Sequence, residues 1–155
     1  MSKVGIIEYE KLVNGSKLMY NNENLTSMEC DFPLLENGEN MFCGCTNMVT
    51  LKTSLDSLTS AKNMFSGCSN VETIYFEHLG GDDVTKEILV DFVGSDKLKS
   101  IHIGSLGIID GSILISTGEK RGTFNSVDFP SVTQLEIESM PNLEDGYMMF
   151  YKPNF

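Results

Sequence analysis

Apolar positions between Leu18 and Ile74 recur at a spacing of 23 residues. The run Met41-Phe42-Cys43-Gly44-Cys45-Thr46-Asn47-Met48-Val49-Thr50-Leu51 aligns with Met64-Phe65-Ser66-Gly67-Cys68-Ser69-Asn70-Val71-Glu72-Thr73-Ile74, and a weaker copy precedes both at Leu18-Met19-Tyr20 and Asn24 to Met28. After each Asn, apolar side chains fall at the first, fourth and sixth positions: Leu25, Met28, Cys30; Met48, Leu51, Thr53; Val71, Ile74, Phe76, with Thr53 the polar exception. The fourth and sixth positions share a face of a strand, because strand side chains alternate. Each unit therefore reads as a turn followed by a short strand with its apolar face inward. A period in this range marks a solenoid, whose units bury their apolar residues by stacking on one another.

The register extends outward. Leu12-Val13-Asn14-Gly15, Leu35-Glu36-Asn37-Gly38, Leu58-Thr59-Ser60-Ala61 and Leu143-Glu144-Asp145-Gly146 are equivalent turns, and the Gly and Asn residues suggest positive φ there. Beyond Phe76, Gly80-Gly81 breaks the pattern, and Asp82-Asp83 is placed to cap a helix from Val84 to about Val93 with Ile88, Leu89, Phe92 and Val93 on its apolar face. Leu98 to Ile103 repeats the strand pattern 27 residues after Val71, so a helix has replaced a short turn. Gly104 to Pro130 departs from the period and is expected to be an irregular insertion, with a hairpin near Ile108 to Ile115 and an exposed loop over Ser116 to Asn125. Val132 to Ile137 restores the strand pattern. The expected organisation is one solenoid domain over 1–155: a partial coil at 1–17, regular coils at 18–103, the insertion at 104–130, and a last coil with its cap at 131–155. An apolar end near Met149-Phe150 would be covered either by the tail Tyr151 to Phe155 or by a second subunit through self-association.

Charge narrows the partner class. The 155-residue chain has a formal net charge of −11, which disfavours phosphate-neutralising contacts with nucleic acid. No apolar run reaches the roughly 20 residues of a membrane span, and the N-terminus lacks signal-peptide character. Of the four cysteines, Cys45 and Cys68 share one phase of the repeat, whereas Cys30 and Cys43 do not. All four are expected as free thiols, because a disulfide framework would be denser and Cys43-Gly44-Cys45 lacks nearby histidine for zinc.

The unit Met-Phe-x-x-Cys-x-Asn, followed by an apolar residue, x, Thr and a second apolar residue, stands at Met41 and again at Met64. It resembles the BspA-like leucine-rich repeat found in surface proteins of gut and oral bacteria and in phages of gut bacteria. The resemblance covers Leu18 to Phe76 best, then Val84 to Ile103, then Val132 to Phe150. It implies an α/β repeat fold: a short right-handed leucine-rich-repeat solenoid with a parallel β-sheet on one face and short turns or helices on the other. It also implies protein or glycan binding, adhesion or assembly, and brings no catalytic residues. Phe42, Cys45, Asn47, Phe65, Cys68 and Asn70 are its structural positions.

Stacked strands place equivalent residues in columns. The outward column is Glu29, Lys52, Tyr75, His102 and Glu136, flanked by Ser27, Thr50, Thr73, Ser100 and Gln134 and by Asp31, Ser54, Glu77, Gly104 and Glu138. Lys52, Tyr75, His102 and Glu136 are the candidate partner-binding residues, since aromatics are enriched at interface anchors. Asn24, Asn47 and Asn70 are expected to bond neighbouring backbone at the bend. Ser100, His102 and an acid suggest no catalytic triad, because nothing offers an oxyanion hole. Acid pairs such as Glu136 and Glu138 read as surface charge, and no metal or cofactor is expected. The leading expectation is a non-enzymatic interaction or structural module: a phage virion or adhesion component, or a bacterial surface protein, with a protein or cell-surface glycan as partner. It would act in the virion or the host cytoplasm, or at the cell surface if it is a fragment of a larger secreted protein. The alternative is a small acidic phage-encoded inhibitor of a basic nucleic-acid-binding host protein, serving anti-defence.

Overall fold

The computed structural model describes residues 3–4 (backbone), 9–111 and 129–146. Strands β1 (Lys3–Val4), β2 (Ser27–Glu29), β3 (Thr50–Leu55), β4 (Thr73–Leu79), β5 (Ser100–Leu106) and β6 (Gln134–Ser139) form one sheet in the order β1-β2-β3-β4-β5-β6. Every pairing is parallel. Ser27 pairs with Thr50, Thr50 with Thr73, Thr73 with Ser100, and Ser100 with Gln134. The first two steps are the 23 residues of the sequence period; the third is the 27 of the helix-bearing segment. Helix α1 (Asp82–Val90) fills that longer connection. No described helix is long and apolar enough to cross a membrane.

The inward strand positions make the core. Met28, Leu51, Ile74 and Ile101 lie in one buried column, and Thr53, Phe76 and Ile103 in the next. In β6 the corresponding Leu135 and Ile137 are only partly buried. Behind the sheet runs a row of rings: Tyr9 to Phe32 at 5.2 Å, Phe32 to Phe42 at 6.2 Å, Phe42 stacked on Phe65 at 5.5 Å, and Phe65 to Phe92 at 5.9 Å. Such contacts add to the burial of large apolar area.

The repeated polar residues serve backbone. Cys45 Sγ donates to Met19 O and Cys68 Sγ to Phe42 O, each at 3.2 Å. Asn47 Nδ2 donates to Glu23 O at 2.7 Å and Asn70 Nδ2 to Thr46 O at 2.6 Å. Each ties a bend to the segment 24–26 residues before it; Met19 O and Phe42 O also accept a backbone N–H, from Asn22 and Cys45. All four cysteines are free thiols. Burial pushes the Cys68 thiol pKa far up and raises that of Cys30 to about 12.

Several expectations need correction. Positive φ falls not on Gly15 and Gly38 but on Lys17, Asn40 and Asn63 and on Asn21, Gly44 and Gly67. Gly15 and Gly38 are required for space: a Cβ on either would meet the Sδ of Met41 or Met64 at 2.8 Å. Ser54, expected to face outward, is buried because the register shifts between Thr53 and Leu55; its hydroxyl bonds Asp56 Oδ1 at 2.9 Å. Val93 is 41% exposed, since the helix has already ended. The insertion also begins later than Gly104. Residues up to Leu106 belong to β5, and Asp110 bridges Asp145 in parallel; the second half of the expected hairpin lies outside the described residues. The remaining insertion residues, 112–128, and the expected cap, 147–155, lie outside the described residues.

Helix α1 interrupts the backbone ladder, and two carboxylates bridge the interruption. In the preceding segments Met19 N donates to Met41 O and Phe42 N to Met64 O. The next member, Phe65 N, donates instead to Asp91 Oδ2 at 3.0 Å. On the other side, Ile109 N donates to Asp82 Oδ1 at 2.8 Å. Asp82 therefore does not cap its own helix; Gly81 occupies the N-cap without a side-chain bond. Burial, with a smaller contribution from Glu87, pushes the pKa of Asp91 up to about 6 against the pull of the Phe65 N–H.

Candidate functional site

The outward face of the sheet follows from what the inward face takes. With Leu51 and Thr53, Ile74 and Phe76, and Ile101 and Ile103 turned into the core, alternation turns Lys52, Tyr75 and His102 outward. Parallel pairing then aligns them, because Glu29, Lys52, Tyr75, His102 and Glu136 are successive Cα partners.

Their side chains touch as a continuous row. Lys52 Nζ is 3.7 Å from Glu29 Oε1, and both side chains are about half exposed. The same ammonium lies 5.4 Å from the centroid of the Tyr75 ring, within the range of a cation–π attraction. Tyr75 meets His102 edge-on, with centroids 4.5 Å apart and planes at 61°. His102 Nδ1 is 3.7 Å from Glu136 Oε2, and its Nε2 is 3.3 Å from Glu138 Oε1. Exposed ion pairs contribute little stability. Six linked side chains on consecutive strands nevertheless restrict one another's rotamers, so a partner meets a surface already arranged.

In the sequence Glu138 reads as a member of a flanking column and, paired with Glu136, as surface charge. It reaches His102 because Gly104 stands beside it: a Cβ there would lie 3.4 Å from Glu138 Oε2 and 2.6 Å from Glu77 O. A bare glycine between two acidic residues in one column was the available signal. His102, Glu136 and Glu138 together offer one nitrogen and two carboxylate ligand atoms within 4.8 Å of one another.

The other candidate residues sit elsewhere. Phe42, Cys45, Phe65 and Cys68 are buried behind the sheet, and Asn47 and Asn70 hold bends. No hydrogen bond joins Ser100 to His102 among the described residues. His78 lines a separate shallow cleft of ≈ 260 Å³ with Asp56, Ser105 and Asn142. A second cleft of ≈ 240 Å³, lined by Gly67, Cys68, Asp91 and Phe92, flanks the end of α1.

No protein-family model matches the sequence, and comparisons with curated proteins and with solved structures gave no match.

Proposed function

We propose that this chain is a non-enzymatic interaction module whose binding surface is the polar face of the parallel sheet. The observation that carries the reading is the row from Glu29 through Lys52, Tyr75 and His102 to Glu136. Its centre is aromatic and its ends are charged, the composition of an anchor with a polar rim. We read the fold as a short right-handed leucine-rich-repeat solenoid. Support comes from the sequence-ordered parallel pairing, the equal steps from Ser27 to Thr50 to Thr73, and the resemblance of the Met41 and Met64 units to the BspA-like repeat. On that reading the partner is a protein or a cell-surface glycan, and the setting a phage virion, an adhesion apparatus or a bacterial surface.

A second reading rests on the charge of −11. An acidic chain of this size is suited to cover the basic surface of a nucleic-acid-binding host protein as an inhibitor, because long-range attraction accelerates such encounters.

Affinity capture separates the two. Immobilised wild type and the double variant Lys52→Ala/Tyr75→Ala are exposed to host lysate and to virion or cell-envelope extract at low and high salt. The first reading expects retention of structural or envelope components that persists in salt and is lost in the variant. Retention of a basic nucleic-acid-binding protein, released by salt, favours the second. Retention identical in wild type and variant removes the sheet face from both.

A further inference from the structure

We propose that His102, Glu136 and Glu138 form a binding site for a divalent transition metal, zinc by its donor set, at the β5–β6 end of the polar sheet face. Nε2 of the His102 imidazole is closed off from solvent and has no hydrogen-bond partner among the described residues. Glu138 Oε1 is 3.3 Å from it, yet the two are not aligned as donor and acceptor. A ring nitrogen donating to a carboxylate would approach to about 2.7–2.9 Å along the N–H direction. A spacing of 3.3 Å without that alignment is instead the edge of a tetrahedron, since ligand bonds of about 2.0–2.1 Å place neighbouring donors about 3.3–3.4 Å apart.

The surroundings fit a cation. Glu136 and Glu138 are two residues apart on β6 and face the same side, so both carboxylates flank one ring. The absence of a side chain at Gly104 keeps open the space beside the Glu138 carboxylate. Tyr75 holds the imidazole edge-on from the opposite side. One imidazole with two carboxylates suits zinc better than magnesium or calcium, which favour all-oxygen sets. Only one ring nitrogen serves a given ion. With Nε2 as ligand, Glu136 begins at the Nδ1 side, 3.7 Å away. Its carboxylate, 66% exposed, either orients the ring through that nitrogen or rotates to join the metal. With Glu136 rotated in, three protein donors leave a fourth coordination position for water or a partner's donor. The site does not depend on the partner-binding reading, because it is assembled within a single chain.

The test is calorimetric titration of the full chain with zinc chloride in a non-coordinating buffer containing excess magnesium and a phosphine reductant. One equivalent is expected, with His102→Gln and Glu138→Gln each weakening affinity by at least about tenfold and Cys43→Ser leaving it unchanged. Circular dichroism checks that each variant is folded. Cobalt loading of the wild type provides a readout independent of any variant: d–d bands without thiolate charge-transfer absorption are expected. The proposal is overturned by the absence of zinc binding, which would leave a histidine–carboxylate ion pair only. Binding that survives His102→Gln, or thiolate absorption with cobalt, overturns it equally by placing the ion on cysteine.

Discussion

Replacing Thr53 with valine should make this protein more stable. Thr53 is 1% exposed, pairs with Phe76 across the β3–β4 ladder, and shares an inward column with Phe76 and Ile103. Its Oγ1 is buried without a hydrogen-bond partner among the described residues. A buried hydroxyl left unsatisfied costs about 1–3 kcal/mol, and a methyl in its place recovers part of the transfer free energy of a buried carbon, about 0.8 kcal/mol. Valine has nearly the same shape and is as well suited to a strand. The net expectation is a gain of about 1–2 kcal/mol, reduced from the sum because the fit of a new methyl is never complete. For a chain of this length that corresponds to about 2–8 °C in melting temperature. Urea titration followed by far-UV circular dichroism should move the midpoint upward with an unchanged slope. Thr53→Ser keeps the hydroxyl and loses the methyl, so it should move the midpoint down. A Thr53→Val midpoint at or below that of wild type would refute the reasoning, because the hydroxyl would then be satisfied in the folded protein.

Asp91 predicts a pH dependence. Its folded pKa of about 6 lies above the ordinary 3.8, so its contribution to stability is fully present below about pH 4 and is lost as pH rises through 6. The loss should be about 1–2 kcal/mol, discounted because the side chain is partly exposed. Asp91→Asn, which can still accept the Phe65 N–H, should flatten the difference between urea midpoints at pH 4.5 and pH 7; an unchanged difference would clear Asp91. Gly104→Ala drives a Cβ to 2.6 Å from the Glu77 carbonyl, and overpacking against backbone should destabilise by about 1–3 kcal/mol in the same assay. Gly38→Ala meets the Met64 thioether, which can swing aside, and should be milder; the reverse order would count against the packing argument. Asn47→Ala and Asn70→Ala each remove one bond, to Glu23 O and Thr46 O, and each should lower stability by about 1 kcal/mol.

What was readable in the sequence was whatever depends on phase. Parallel strands separated by 23 and 27 residues keep equivalent positions abreast, so the Lys52, Tyr75 and His102 alignment followed from counting, whereas Glu136, 34 residues beyond His102, joined them through the strand pattern that returns at Val132 to Ile137. The apolar first, fourth and sixth positions located the core for the same reason. Features that depend on local departures from phase were not legible. A register shift buried Ser54, and the end of α1 at Val90 exposed Val93. Gly15 and Gly38 look like turn residues in sequence, and only the methionines opposite reveal that they leave room. The approach of Glu138 to His102 is a matter of rotamer and of a missing side chain at Gly104, which periodicity does not encode. Nor does a composition rich in acids single out Asp82 and Asp91 as the two that stand in for backbone carbonyls.

The matched fit of Gly15 to Met41 and of Gly38 to Met64, with the same 2.8 Å approach at both, has a bearing on how such a chain changes length over time. Two junctions with congruent surfaces are interchangeable: a chain lacking residues 38–60 would set Met64 against Gly15, and a duplicated segment would create a third junction of the same form. Growth or shrinkage by whole 23-residue increments would keep a thioether opposite a glycine at the new junction. A change of any other size shifts thioether, glycine and asparagine out of step together. In-step change of length is therefore confined to the β2–β3–β4 side of the molecule, whereas the segment built on α1, joined through two carboxylates, has no equivalent neighbour to trade with.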